Sequence, residues 1–367
     1  MGRSKVYFTT MKAKFGENIP QKLYKLVKAA GIEEIDFHDK YAAIKVHFGE
    51  PGNLAYLRPN YAAVIVDVVK ELGGKAFLTD SNTLYVGGRK NALDHLDSAY
   101  RNGFSPFSTG CHVLIADGLK GTDEALVPVD GEYVKNAKIG RAIMDADIFI
   151  SLNHFKGHEL AGFGGALKNI GMGSGSRAGK MEMHNSGKPY VKQELCIGCG
   201  NCIQVCAHGA PSITQRKAVI DRVRCVGCGR CIGVCPKDAV CTEFDEANDI
   251  MNKKMAEYSL AVLKGRPNFH INLVIDVSPY CDCHAENDIP IVPDVGMFAS
   301  FDPVALDRAC VDAVNRQPVI AGSLLEEMDH VHHDHFKDLA PESNWKVCLE
   351  HAEKIGIGTQ EYELIEI

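Results

Sequence analysis

Cys196-Ile197-Gly198-Cys199-Gly200-Asn201-Cys202-Ile203-Gln204-Val205-Cys206 is followed by Cys225-Val226-Gly227-Cys228-Gly229-Arg230-Cys231-Ile232-Gly233-Val234-Cys235-Pro236. In each run three cysteines are set at CxxCxxC spacing and a fourth comes after three more residues. Three thiolates this close wrap one corner of a metal centre, and its remaining ligand has to reach in from farther away. CxxC pairs also bind zinc, but two four-cysteine runs of this form point to iron–sulfur cubanes. Gly198, Gly200, Gly227 and Gly229 flank the ligands, where a missing side chain lets backbone N–H groups approach sulfur. These runs hold eight of the chain's 14 cysteines, in tight groups. Such clustering argues for thiolates in a reducing cytoplasm and against disulfides.

The segment from about residue 188 to residue 243 resembles the bacterial ferredoxins that carry two [4Fe–4S] clusters. In that family the fourth ligand of each cluster comes from the other motif. The resemblance implies one cluster on Cys196, Cys199, Cys202 and Cys235 and a second on Cys206, Cys225, Cys228 and Cys231. Exchanged ligands hold the two clusters close together, which suits one-electron relay. Ala207 stands where the first motif would carry Pro, and Pro236 keeps that feature in the second.

On both sides of this segment the sequence changes character. Upstream, short apolar runs at Val6–Thr9, Ala43–Phe48, Lys75–Asp80, His112–Ala116 and Asp147–Leu152 alternate with helical periodicity. The helical patterns lie near Asn18–Ala30, Tyr61–Leu72, Lys90–Asn102 and Ala137–Met144. Downstream come a helix over Glu246–Leu263, a strand over Ile271–Val277 and a short strand over Met297–Ser300. Asp302-Pro303 then caps a helix through Val314, and Asn344–Ile355 and Tyr362–Glu366 read as a last helix and strand. The pattern predicts an α/β fold, mostly parallel sheet layers with helices, into which the ferredoxin-like domain is inserted. The chain divides into 1–187 (α/β, first part), 188–243 (ferredoxin-like) and 244–367 (α/β, second part). Ligands in such folds sit where strands run into loops, here Gly49–Asn53, Asp80–Arg89 and Asn153–Gly165.

Composition narrows the function. The 40 basic residues against 47 acidic ones leave a formal charge of −7, which disfavours a nucleic-acid partner. No apolar run approaches the roughly 18 residues of a membrane span, and the start of the chain has no secretory pattern. Hydrophobic residues at 46% and charged residues at 24% are ordinary for a globular protein.

Several stretches outside the cysteine runs resemble the family catalogued as domain of unknown function 362. They include Ile44-Lys45-Val46-His47-Phe48-Gly49-Glu50, Asp80-Ser81-Asn82-Thr83, Leu152-Asn153-His154-Phe155-Lys156-Gly157-His158, Gly164-Gly165-Ala166-Leu167-Lys168-Asn169, Cys281-Asp282-Cys283 and Ser300-Phe301-Asp302-Pro303. A second, more local likeness joins His158, Gly164-Gly165, Lys168 and His184 to the lactate racemase family, which uses a nickel-pincer nucleotide. That likeness implies His158 as an acid/base group, Lys168 as the cofactor's attachment point and His184 as a nickel ligand, with Gly164 and Gly165 beside the cofactor.

The residues themselves support a site near these positions. His154, Lys156, His158, Lys168 and His184 lie in or beside a stretch with eight glycines from Gly157 to Gly179. We read it as a Gly-rich loop able to take an anion or nucleotide, with His for proton transfer or metal. Cys281-Asp282-Cys283-His284 offers soft ligands to a further metal, and this loop is expected to face the Gly/His/Lys loop across one cleft. His330-Val331-His332-His333-Asp334-His335 reads as a solvated polar loop, and Cys111, Cys241, Cys310 and Cys348 as inert buried thiols. The expected function is electron transfer or oxidoreduction, the clusters serving a cleft lined by His158, Lys168, His184, Cys281 and Cys283. The partner would be a redox protein or a small-molecule substrate. Two other readings stand beside it: a non-catalytic carrier or assembly partner, and a racemase- or isomerase-like enzyme with a metal or nucleotide cofactor.

Overall fold

A computed structural model describes residues 2–85, 87–184, 188–242, 247–331 and 333–367. The chain is α/β, built on a sheet of eight strands. Across the sheet they run Tyr362–Glu366, Ser4–Thr10, Gly296–Ser300, Asn268–Val274, Ile148–His154, Tyr41–Lys45, Lys75–Asp80 and His112–Ile115. Five neighbouring pairs are parallel. Only Gly296–Ser300 runs antiparallel to both of its neighbours.

Alternation along the strands sorts side chains onto two faces. Ile44, Ile150, Leu152, Ile271 and Met297 pack on one face with Leu23 and Leu26 of helix Ile19–Ala29 and with Ile65, Val66 and Val69 of helix Pro59–Glu71. The other face carries Ala43, Phe149 and Phe298 against helices Ala166–Ser174, Asn248–Leu263, Pro303–Asn315 and Trp345–Lys354. The starts of two helices follow from their caps. The Asn18 side chain accepts from the Gln21 amide in a capping box, and the Asp302 carboxylate accepts from the Val304 and Ala305 amides, with Pro303 next.

The path across the sheet positions the site. From Tyr41–Lys45 the chain moves outward to Lys75–Asp80 and His112–Ile115, then returns on the other side with Ile148–His154 and Asn268–Val274. The order therefore reverses between the carboxyl ends of Tyr41–Lys45 and Ile148–His154, where crevices form in open parallel sheets.

Residues 188–242 form two short antiparallel pairs, Tyr190–Val191 with Val240–Cys241 and Pro211–Thr214 with Lys217–Ile220. They also contain two one-turn helices, Asn201–Gln204 and Arg230–Gly233. The expected boundaries at 187/188 and 243/244, the helix start at Glu246, and His332 fall wholly or partly outside the described residues.

Three expectations are corrected. Asn136–Gly140 is a strand paired with Glu124–Pro128, not helix, because Ala137 and Ile139 alternate inward with period two; helix covers only Arg141–Asp145. The Gly-rich stretch is not one loop. It folds as a tight pair, Lys156–His158 with Gly162–Gly164, and then as helices Ala166–Ser174 and Arg177–His184. Its glycines allow close backbone contacts: a Cβ on Gly171 would run into the Met255 carbonyl oxygen of a neighbouring helix, and one on Gly179 into the Lys138 carbonyl oxygen of strand Asn136–Gly140. The His-rich tract is not wholly solvated, since Asp334 caps helix His335–Leu339 and also accepts from Trp345 Nε1 at 2.9 Å. No helix among the described residues is long and apolar enough to cross a membrane.

Candidate active site

The carboxyl ends of the central strands carry polar side chains into the interior. Lys45, fully buried at the end of its strand, pairs with Asp80 at 2.8 Å and bonds Asn169 Oδ1 at 2.7 Å. Asn169 donates to Asn153 Oδ1 at 2.7 Å, and Asn153 donates to Asn272 Oδ1 at 2.9 Å. Asn272 in turn donates to Asp307, which also accepts from the Ala166 and Leu167 amides and so caps the helix that carries Lys168. Burial pushes the Asp307 carboxyl up to about 6 against these hydrogen bonds. The network fixes the helix against the sheet.

Beyond Val274 the chain turns back, and the loop brings Asp282 under His154 and Lys156. The carboxylate lies 2.9 Å from His154 Nδ1 and 3.0 Å from Lys156 Nζ. Asp282 is fully buried. Burial alone would raise its carboxyl, but His154 and Lys156 outweigh that and hold it well below the carboxylate range. The two neighbours of Asp282, Cys281 and Cys283, are thereby placed beside His158 and Lys168.

The ligand atoms of His158, Cys281 and Cys283 lie within 4.8 Å of one another, close enough to share an ion. Lys168 Nζ donates to Cys281 Sγ at 3.1 Å. The Cys283 thiol, the Lys168 ammonium and His158 all hold Cys281 well below the usual thiol range, overcoming its burial. Cys283 moves the opposite way, raised first by its bond to Cys281 and then by burial. Of the two, Cys281 is the more acidic thiol and Cys283 the less acidic. Burial would lower Lys168, but the two sulfurs outweigh it and raise its ammonium. His158 Nδ1 accepts from the Leu160 and Ala161 amides at 3.1 Å each. That places the neutral ring's proton on Nε2, the nitrogen left for the sulfur side. Burial and the Lys168 charge lower the His158 pKa, and burial pushes His184 down to about 3. Both rings are neutral at pH 7.

His158, Lys168, His184 and Cys283 line a cavity of about 820 Å³. Its wall continues into the Cys-rich segment through Ile232 and Val240. Cys281, expected to line the cleft, is fully buried and lies behind Lys168 and Cys283. Cys241, expected to be inert and buried, is half-buried and lines this cavity. Cys111, Cys310 and Cys348 are buried, and burial raises each thiol.

In the Cys-rich segment, Cys196, Cys199, Cys202 and Cys235 line one cavity, whereas Cys206, Cys225, Cys228 and Cys231 line another. Backbone amides of Ala218, Ala239 and Ala210 donate to the sulfurs of Cys196, Cys235 and Cys206 at 3.2, 3.2 and 3.4 Å. Gly198, Gly200, Gly227 and Gly229 have φ of +68°, +80°, +72° and +67°, the left-handed region glycine tolerates. Arg177 of the α/β part is fully buried against Gly229 and Gly233, with Nε and Nη1 unpartnered and Nη2 on the Lys90 carbonyl. Lys90 pairs with Asp238.

The structure thus gathers His158, Lys168, Cys281 and Cys283 at one point and puts His184 on the same cavity. Gly164 and Gly165 line a smaller recess alongside. In the His-rich tract no three ligand side chains converge among the described residues. Sequence reasoning missed Lys45, His47, Tyr85, Arg89 and Lys180 as site residues, although a Lys inside the apolar strand Tyr41–Lys45 was a signal.

The chain is similar to a crystal structure of a protein from Thermotoga maritima, at 15% identity and a TM-score of 0.39, over 81% of this chain and 57% of that one. It is also similar to the apoprotein of lactate racemase from Thermoanaerobacterium thermosaccharolyticum, at 12% identity and a TM-score of 0.39, over 75% and 52%. The chain spans little more than half the length of these two structures. No curated protein matches it. The family described as domain of unknown function (DUF362) matches residues 42–312, well over half of the sequence, and the chain belongs to that family.

Proposed function

We propose that the protein is a cytoplasmic iron–sulfur oxidoreductase in which residues 188–243 form a ferredoxin-type module inserted into the α/β part. Cys196, Cys199, Cys202 and Cys235 would hold one [4Fe–4S] cluster and Cys206, Cys225, Cys228 and Cys231 the other. When bound, the clusters supply one-electron transfer between a redox partner protein and a small-molecule substrate in the large cavity. The observation that carries this reading is a shared wall: Val240 lines both the first cysteine cavity and the cavity of His158, Lys168 and Cys283.

The sulfur spacing favours clusters over zinc. Tetrahedral zinc with Zn–S bonds of about 2.3 Å needs sulfurs roughly 3.8 Å apart. No three of the eight module sulfurs lie within 4.8 Å of one another, and each set surrounds open space. The amide bonds to Cys196, Cys206 and Cys235 would stabilise negative charge on those ligands.

In the α/β part, Cys283 reaches the cavity, with the Cys281 thiolate behind it. Lys168 neutralises that thiolate, and His158 holds a proton at Nε2 for transfer to or from substrate. If a further metal binds here, Cys281 and Cys283 would be its sulfur ligands, since His158 offers a donor and not a lone pair.

The test is iron, sulfide, nickel and zinc content of protein purified without oxygen. About eight irons and eight sulfides per chain are expected; stoichiometric zinc with no sulfide would refute the reading. A racemase- or isomerase-like enzyme is the second reading, favoured by His158, Lys168 and His184 lining one cavity. An organic adduct on Lys168, seen by mass spectrometry, would select it.

A further inference from the structure

Next to the sulfur site lies a second, smaller space. It is a recess of about 50 Å³ lined by Asp80, Arg89, Lys156, Lys168 and Lys180 among others. One enclosed water takes on the order of 10–15 Å³, so the recess has room for a group of a few heavy atoms. It adjoins the large cavity: Tyr85, Lys168, Met172 and Cys283 line both.

The charges around the recess do not cancel. Lys45 is met by Asp80 at 2.8 Å, Lys156 by Asp282 at 3.0 Å, Arg89 by Glu50 at 2.7 Å and Lys168 by the Cys281 sulfur at 3.1 Å. Lys180 has no carboxylate at ion-pair distance among the described residues. Its ammonium, on a residue 7% exposed, bonds only the carbonyls of Gly175 at 2.6 Å and Gly173 at 3.5 Å. Arg89 is 1% exposed, and its Nη2 has no acceptor, although Nε and Nη1 are engaged by Glu50 and His47. Asp117 and Asp80 act on Lys180 only from beyond ion-pair distance. A buried N–H without a partner and a buried ammonium with no carboxylate in contact are both costly, and one bound anion would relieve both.

We infer that the recess is a subsite for the carboxylate of an organic-acid substrate, held between Arg89 and Lys180, with the rest of that molecule in the large cavity. A recess this small, with one ammonium that touches no carboxylate, suits a monoanion better than a phosphate dianion. A carboxylate seated there sets its neighbouring atoms beside Lys168 and Cys283, the residues common to both spaces. The inference rests on the reading of Cys283, Cys281 and His158 as the reacting groups, and it names the class of molecule they act on.

The test uses full-length protein purified without oxygen and titrated calorimetrically with propionate and with inorganic phosphate. Propionate is expected to bind one per chain. Lys180→Met, which removes a buried charge and should fold, is expected to weaken that binding at least about tenfold, the scale of one charged hydrogen bond. Arg89→Lys is the second variant, because it keeps the charge opposite Glu50 while removing the guanidinium fork. Absence of propionate binding, binding indifferent to both substitutions, or tighter binding of phosphate would each overturn the assignment. Iron and sulfide content on the same preparations separates the two claims. Propionate binding that depends on Lys180 in a protein lacking clusters would keep the subsite and sink the oxidoreductase reading. Intact clusters without anion binding would do the reverse.

Discussion

Lys180 shows how one residue ties the site to stability. Burial lowers its pKa to about 8, against the pull of Asp117 and Asp80. Between about pH 8 and the ordinary lysine value of 10.5, the unfolded chain holds a proton here that the folded chain has released. The unfolded state binds more protons in that window, so this residue makes stability rise with pH across it. Lys180→Met should remove that rise, up to about 3 kcal/mol at the upper end. Urea unfolding of both proteins at pH 8 and pH 10 reads the difference, and a gap that stays constant with pH would contradict it. Arg177 makes the corresponding link to the module. Its side chain lies against Gly229 and its unpartnered Nη1 against Gly233, in the run that carries Cys225, Cys228 and Cys231. Positive charge there favours the reduced, more negative state of a cluster. Arg177→Met should lower the potential of the cluster proposed on Cys206, Cys225, Cys228 and Cys231, at unchanged iron content. A redox titration followed by electron paramagnetic resonance would show it; two unshifted potentials would exclude the role.

The helix Ala166–Ser174 is the element on which the site depends. It holds Lys168 on one side and packs closely against Asn248–Leu263 on the other. Gly171→Ala would gain roughly 1 kcal/mol of helix propensity, but the new methyl meets the Met255 backbone, which cannot swing aside as a side chain could. Overpacking of this kind costs about 1–3 kcal/mol or more, so the net effect is expected to be destabilising, with a thermal midpoint several degrees lower. An unchanged or raised midpoint would show that the two helices can part. This helix also marks where sequence reading reached its limit. Strands such as Lys75–Asp80 and Tyr362–Glu366, and the Asp302 cap, are written in local pattern and were legible to the residue. Gly171 and Gly179 looked like loop glycines because their cause is a neighbour some 80 residues on for one and 40 residues back for the other. The meeting of His158 and Lys168 with Cys281 was foreseeable from strand-end loops. The burial of Cys281 behind Cys283, and the chain from Lys45 through Asn169 and Asn153 to Asp307, depended on register between distant strands.

At the scale of the molecule, the α/β part has its own cores on both faces of the sheet, whereas the module's apolar cluster is small and includes four of its cysteines. A segment of that size would have little else to hold it without the proposed clusters. Stripping iron with a chelator and oxidant should therefore abolish amide-exchange protection across 188–242 while the central strands Tyr41–Lys45 and Ile148–His154 stay protected. Loss of protection in both regions together would mean one cooperative unit. The way the module is joined has a further meaning. Tyr190–Val191 lies against Val240–Cys241, and the Lys192 amide bonds the Ala239 carbonyl at 2.7 Å. Its two chain ends leave the α/β part side by side, so to the rest of the fold the whole module is a single closed loop. Lengthening a loop that is already closed costs little entropy. Removing this segment would leave the sheet's own pairing intact but would expose Leu84 and Met181, the apolar residues it covers, so a shortened chain is expected to need polar replacements there.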